Sequence, residues 1–371
     1  MSQSPKGPSS VSELTPEWLI ETVAGALGVP ADPATNRSDV TLMSLGEGMG
    51  ETGSLMRAEF RGYEGLPSSV IVKLPSSDRK RREQAMSIRL YEREARFYRE
   101  LSPGLGASVP DCYFADYDEG GVCLILEDLP RHRPGDEVRG AEPGEAALVL
   151  EAIAPVHARY WGKTDAPELA WVPRHDGPLA PLRRESLERG WTVMAETFHE
   201  QLPAVVHELR STYLEAFPRL QHLMASEPAT LVHGDLRLDN VLFGEPGPDE
   251  VVLLDWQGLL VGRAMQDVAY LVSHCMETED RREHEGWLLR RYTDALAGSG
   301  VAYAPEDLER HYRQAMLFIF SYVVGITGSM QNSNPRAMAR KRKLVVRACE
   351  AMDDWCGWDL LKELGKDGSA R

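Results

Sequence analysis

The chain has 371 residues and a formal net charge of −16. That is enough material for two lobes around a sizeable core. So large a negative charge opposes the counterion release that drives binding to DNA or RNA, so nucleic acid is not expected as a partner. Five cysteines, Cys112, Cys123, Cys275, Cys349 and Cys356, form no CxxC pair and are odd in number, which argues against a disulfide framework and a zinc site. With no apolar core of a signal peptide at the N-terminus, a reducing cytoplasm is the expected setting. The longest largely apolar run, Ala315 to Ile326, falls short of the roughly twenty residues that a hydrocarbon layer needs, and predicts a buried helix rather than a membrane span. Residues 1–12 and 366–371 are expected to be disordered tails.

Thr15 followed by Pro16 has the form of an N-cap and a first helical position, with Leu19, Val23 and Leu27 recurring at helical spacing up to the break at Gly28–Asn36. From Val40 to Leu126 the texture is of short β-rich runs interrupted by one long helix. The glycine-rich stretch Leu45 to Ser54 lies between two predicted strands, and Gly48, Gly50 and Ser54 there would let backbone N–H groups approach phosphate oxygens. By itself such a hairpin can equally be a plain turn, and the P-loop spacing GxxxxGK[ST] is absent. Val70 to Leu74 predicts a strand with Val70, Val72 and Leu74 on one face and Ile71 and Lys73 on the other.

A helix is expected over Arg82 to Leu101, opened by the basic run Arg79-Lys80-Arg81-Arg82, which suits a solvated face. Met86, Leu90, Glu94, Phe97 and Leu101 follow i, i+4, i+8, i+11, i+15 spacing and would share one side. Glu94 therefore falls on an apolar stripe, where an unpaired carboxylate is costly to desolvate. Lys73 is its simplest cationic partner. The competing readings are an exposed strand lysine, and a Glu94 that pairs with a neighbouring arginine or reaches water. Val122 to Glu127 predicts a further strand.

Past Leu129 the pattern becomes helical, so the chain is expected to be α+β, with a smaller α+β lobe over 13–128 and a larger, mostly helical one over 129–365. A helix from Glu145 to Trp161, kinked at Pro155, would carry His157 as a core histidine beside Leu150, Ile153 and Trp161. Two short strands, Thr230 to Val232 and Val251 to Asp255, flank the octapeptide His233-Gly234-Asp235-Leu236-Arg237-Leu238-Asp239-Asn240. An acid five residues before an amide, then a second acid after an apolar run, supplies what phosphoryl transfer needs. Asp235 serves as base for a hydroxyl nucleophile, and Asn240 and Asp255 serve as oxygen ligands for magnesium. Gly234 permits a tight turn. His233 suits a structural role in the loop better than acid–base work, and Asp239 suits loop capping. Arg237 either adds positive charge near the transferred group or lies on the surface. Asp267 is expected to anchor the loop. Trp256 and Gln257 either touch substrate or pack the floor.

These residues resemble the aminoglycoside phosphotransferase and choline kinase superfamily, and within it the ecdysteroid-kinase-like branch. The similarity is carried by Val72-Lys73, Glu94 with Phe97-Tyr98, Leu126-Glu127-Asp128-Leu129, His157-Ala158 with Trp161, His233 to Asn240, Asp255-Trp256-Gln257 and Asp267. It implies a bilobal protein-kinase-like fold with a small antiparallel-sheet N-lobe. It also implies Asp235 as base, Asn240 and Asp255 as metal ligands, and Lys73 with Glu94 as the pair that positions phosphate. Glu127 to Leu129 would be a hinge whose backbone receives adenine, with ATP and Mg²⁺ as cofactors and a small-molecule alcohol as acceptor. Two departures stand out: the phosphate loop is not a clean glycine motif, and Trp-Gln follows Asp255. Only eleven residues separate Asp255 from Asp267, which leaves no room for the peptide platform of a protein kinase. An aminoglycoside kinase, drawing a cationic antibiotic with Glu277, Glu279, Asp280, Glu283 and Glu285, and a nucleotide-binding scaffold without catalysis are the alternatives. An acidic helix surface is the plainer account of those glutamates and aspartate. Oligomeric state is not legible in these residues.

Overall fold

A computed structural model describes residues 7–30, 40–45, 53–105, 108–247, 250–328 and 335–366. It divides into two compact units: the first holds the chain up to Gly104, Val109–His132 and Leu254–Gly258, and the second holds the remainder.

The first unit is built on an antiparallel five-stranded sheet of order β1-β2-β3-β5-β4. Its strands are β1 (Val40–Leu45), β2 (Gly53–Phe60), β3 (Ser69–Pro75), β4 (Cys112–Asp118) and β5 (Gly121–Glu127). As the alternation predicts, Val70, Val72 and Leu74 of β3 enter the core, where they join Met56, Ala58, Ile125 and the helix residues Leu19 and Val23. Helix α1 (Pro16–Leu27) starts where the sequence places it, with Thr15 Oγ1 accepting from the Trp18 N–H at 3.2 Å and Gly28 closing it in the left-handed region at φ 68°. Of the segment expected as an N-terminal tail, residues 7–9 lie beside β4, where the Gly7 N–H donates to Asp116 at 3.3 Å, and Val11–Glu13 form a 3-10 turn. Residues 1–6 and 367–371 lie outside the described residues, as do Gly48 and Gly50.

The long helix expected over Arg82 to Leu101 is in fact three pieces: α2 (Arg79–Ser87), α3 (Leu90–Arg96) and a π-helical turn, Phe97–Leu101. The break falls at Arg89, which sits at φ 60°. Arg93 braces it: its guanidinium donates to the Ile88 carbonyl at 3.1 Å, and to the Arg89 carbonyl at 3.3 Å beside the bond that carbonyl accepts from the Arg93 N–H at 3.0 Å. The single stripe from Met86 to Leu101 is therefore interrupted, and Met86 is only partly buried. Glu94, Phe97 and Leu101 remain buried.

The second unit contains α4 (Pro143–Tyr160), α5 (Ala180–Thr197), α6 (Ala204–Glu208), α7 (Arg210–Ala225), α8 (Met265–Cys275), α9 (Thr278–Gly298), α10 (Pro305–Gly328), α11 (Pro335–Asp354) and α12 (Gly357–Lys366). Pro155 lies inside α4, which begins at Pro143 rather than Glu145 because Glu142 and Glu145 form a capping box there. The apolar run from Ala315 lies within α10. No helix among the described residues is long and apolar enough to cross a membrane. Two small antiparallel sheets accompany the helices, formed by β6 (Arg133–Pro134), β7 (Thr230–Val232), β8 (Val241–Phe243), β9 (Val251–Leu253) and β10 (Leu260–Gly262). Their orders are β10-β7 and β6-β8-β9. The two strands read from the sequence thus belong to different sheets, because β7 pairs with β10 and β9 with β8, each of these partners only three residues long. The octapeptide is the link from β7 to β8.

Candidate active site

In the first unit Lys73 is buried on β3, opposite Leu55 of β2 and Leu124 of β5. Its Nζ lies 2.7 Å from the Glu94 carboxylate and 2.6 Å from Asp255 Oδ1. The bland readings of both residues fail: Glu94 is 1% exposed and its partner is Lys73. Burial alone would lower the Lys73 ammonium, but Asp255 and Glu94 outweigh it and hold the group charged above its ordinary range. Burial, reinforced by Asp255 and opposed by Lys73, pushes the Glu94 carboxyl up to about 7. Lys73 is thus the shared cation of Glu94 and Asp255, and Asp255 is the carboxylate of the two left more open to solvent.

Asp255 adopts φ 61°, a conformation an aspartate tolerates better than most residues but not without cost. Gln257 Nε2 donates to its Oδ2 at 3.0 Å. Trp256 is buried and stacks on Phe97 at 4.2 Å with planes 8° apart. Of the two readings the sequence leaves open, Trp256 follows the packing one, and Gln257 orients Asp255. Gly53, at the end of the glycine-rich stretch, sits so close to β3 that a Cβ would meet the Leu74 carbonyl at 2.9 Å, with Lys73 Cε at 3.6 Å. Ser54 is the next residue, opposite Leu74.

Asp128, in the expected hinge, is tied to the sheet: Arg57 Nε donates to it at 2.6 Å and Ser69 Oγ at 2.6 Å. The Glu127 N–H donates to the Asp111 carbonyl at 2.8 Å and is not available to a ligand.

In the second unit the loop after β7 is held by one carboxylate. Asp267, in the first turn of α8, accepts from the His233 N–H at 2.7 Å and the Gly234 N–H at 2.9 Å. His157 Nε2 lies 3.2 Å from the same carboxylate, and its Nδ1 lies 2.9 Å from the Tyr292 hydroxyl. Asp267 is the anchor the sequence suggests, and His157 is a satisfied core histidine. Gly234 stands at φ 80°, which explains the glycine. His233 is fully buried and its Nδ1 accepts from the Asp235 N–H at 3.3 Å, a structural role.

Asn240 Nδ2 donates to the Asp235 carbonyl at 2.9 Å and to its Oδ2 at 3.1 Å. With that nitrogen committed, the amide oxygen is the atom Asn240 has for a cation. Arg237 is not a surface residue. Its guanidinium reaches Asp235 Oδ2 at 3.4 Å, Glu137 Oε2 at 3.4 Å and Asp239 Oδ2 at 3.3 Å. Burial opposes its charge, yet Asp235 and Glu137 hold it well above the ordinary value. Asp239 also caps the segment before α4 by accepting from the Glu137 N–H at 3.1 Å. Glu137, buried 100 residues before Arg237, carries no motif and was not legible in the sequence. The acidic surface expected around α9 is only partial: Glu285 is buried against Arg281, Tyr312 and Trp355, and Glu277 pairs with Lys343 and Arg347.

A five-stranded antiparallel sheet carrying a buried lysine–glutamate pair, and a helical unit carrying an anchored Asp-x-x-x-x-Asn loop, define the protein-kinase-like class. Within that class the chain belongs to the ecdysteroid kinase-like family, whose model matches residues 56–300. Its fold is similar to that of a choline kinase from Cryptosporidium parvum, at a TM-score of 0.61 and 12% identity over 94% of this chain and 99% of that one. It is also similar to a Ralstonia eutropha protein assigned as an aminoglycoside phosphotransferase, at a TM-score of 0.57 and 18% identity over 94% and 98% of the two chains. A Caenorhabditis elegans protein named as an uncharacterized oxidoreductase is 23% identical over 338 residues, 78% of this chain but 38% of that protein. The chain thus spans well under half the length of that relative.

Proposed function

We propose that this protein is a kinase that moves the γ-phosphoryl group of ATP to a hydroxyl of a small molecule, with Mg²⁺. The observation that carries the reading is Lys73, buried and charged between Glu94 at 2.7 Å and Asp255 at 2.6 Å. A buried ammonium braced by two carboxyl groups suits the grip on nucleotide phosphates, and the Asp255 carboxylate is an oxygen donor of the kind a metal ion takes.

In the first unit, Lys73 would bind the phosphates, Glu94 would fix the ammonium, and Gly48, Gly50 and Ser54 would contribute to covering the phosphate groups. Adenine would take backbone groups of the Glu127–Leu129 segment, with the Leu129 amide favoured because the Glu127 amide is already bonded. In the second unit, Asp235 would accept or orient the hydroxyl proton of the acceptor, and Arg237 would offset charge beside it. Asn240, through its amide oxygen, and Asp255 are oxygen donors of the kind magnesium prefers. When bound, the ion would neutralise charge on the phosphates. The acceptor is proposed to be an alcohol. The case for a cationic antibiotic is weakened because Glu277 and Glu285 already have basic partners.

The test is ATP consumption with Mg²⁺ across a library of alcohols that includes sterols, amino alcohols and aminoglycosides. Asp235→Asn is expected to lower turnover by several orders of magnitude while ATP still binds, because the base is lost and the nucleotide's contacts are not. Near-normal turnover in that variant would remove Asp235 from the role. Nucleotide binding without turnover on any acceptor would favour a non-catalytic scaffold.

A further inference from the structure

Glu137 is a carboxylate 2% exposed, and a buried charge of this kind persists only where cations and hydrogen bonds meet it. It has two cations: Arg237 Nη1 and Arg340 Nη1 of α11, each at 3.4 Å from Oε2. The backbone around it is fastened to the loop that bears Asp235. Besides the Glu137 N–H bond to Asp239, the Gly135 N–H donates to the Val241 carbonyl at 2.9 Å. A Cβ on Gly135 would fall 2.3 Å from the Leu238 carbonyl oxygen, so only glycine permits this approach. The Glu137 carbonyl accepts from Arg347 Nη1 at 2.8 Å, a second tie to α11. The carboxylate is thus fixed in place relative to the loop.

Arg237 is shared by three carboxylates at nearly equal distances, 3.4, 3.4 and 3.3 Å, to Asp235, Glu137 and Asp239. None of these is the short bidentate contact that a guanidinium makes when it commits to one partner. We propose that Glu137, held in turn by Arg340, is a positioning residue: it suspends Arg237 beside Asp235, so that α11 sets the orientation of the base. The inference rests on the kinase reading of Asp235. Without Glu137, Arg237 has Asp235 and Asp239 left and settles onto them, turning the Asp235 carboxylate away from its working orientation. The role differs from mere bracing of the fold because it acts through Arg237.

The experiment measures ADP release from MgATP, with the best alcohol of the screen as acceptor or, lacking one, water. Glu137→Gln preserves shape and removes charge, and it is expected to lower kcat roughly 10- to 100-fold, as a misplacement of about 1 Å does, with the KM for MgATP unchanged. Arg237→Gln should also lower kcat, and the double variant should be no slower than the slower single, since both act on one contact. Should Glu137→Gln fail to fold, Arg340→Gln, at a partly accessible site, serves instead, with a several-fold fall in kcat and the same KM. An unchanged kcat, a loss confined to KM, or losses that multiply in the double variant overturn the proposal. If Asp235→Asn abolishes turnover while Glu137→Gln and Arg340→Gln are both without effect, the inference fails and the kinase reading stands. If wild-type protein turns over MgATP with neither acceptor, both fall.

Discussion

Lys73 decides how the first unit's cluster behaves when a residue is changed. Lys73→Met would leave Glu94 and Asp255 without their shared cation, and breaking one side of a buried pair costs about 3–5 kcal/mol. Urea unfolding should show that loss, and calorimetry should show weakened MgATP binding. Adding Glu94→Gln to Lys73→Met should not restore binding, because the phosphate partner is still missing. Full recovery of binding would show that Lys73 does not hold the nucleotide. Asp267 has the matching place in the second unit. It takes two backbone N–H groups of the loop, so Asp267→Asn turns one acceptor into a donor that faces a donor. A loss of about 2–3 kcal/mol in unfolding free energy is expected. Lys73 and Glu94 were legible because a charge on an apolar face has to be explained, and Asp267 because it follows the loop at the start of a helix. Glu137 offered no such sign, since it matters only through a neighbour the fold supplies.

Helices and strands show where sequence periodicity is strong and where it is silent. Helix α1 follows its capping signals residue by residue. The break at Arg89 does not announce itself, because the Ile88 carbonyl beside it is met by the side chain of Arg93, a residue five positions on that the local spacing does not single out. Strands β8 and β10 are too short to display alternation, so the pairing of β7 with β10 rather than β9 had no local signal. The contact of α5 with α10 is of the same kind. A Cβ on Gly190 would meet the Val324 carbonyl at 2.7 Å, and one on Gly328 would meet the Gly190 Cα at 2.1 Å. Gly190→Ala should therefore force the helices apart and lower stability by about 1–3 kcal/mol, read by denaturant unfolding. An unchanged midpoint would mean that the two helices slide without strain.

Across the whole molecule, two buried histidines tie stability to pH. Burial, assisted by Arg347, brings His274 down to about 3 from an ordinary 6.5, and burial beside Arg183 keeps His175 well below its ordinary value. Below pH 6.5 the unfolded chain takes up protons on these groups that the folded one refuses. Their stabilising share is therefore present above that pH and lost as pH falls, with a slope of up to about 1.4 kcal/mol per pH unit for each. Glu94 works the other way: its carboxyl is raised to about 7, so the folded state gains from its protonation as pH falls towards 4.5. Unfolding free energies at pH 7, 6 and 5 should fall less steeply in His274→Gln than in the wild type. An equal slope would mean that His274 is charged in the folded protein.

The sequence by itself determined the β-rich first part and the helical remainder, and it singled out Lys73, Glu94, Asp235, Asn240 and Asp255 as candidates, because hydrophobic period and motif spacing are local properties. Tertiary structure decided which groups meet: that Lys73 bridges Glu94 and Asp255, that Asp267 grips the loop, and that Arg237 hangs between Asp235 and a glutamate 100 residues earlier. A buried charge selects its partner by distance in the folded chain, and that distance is not written in the spacing along it.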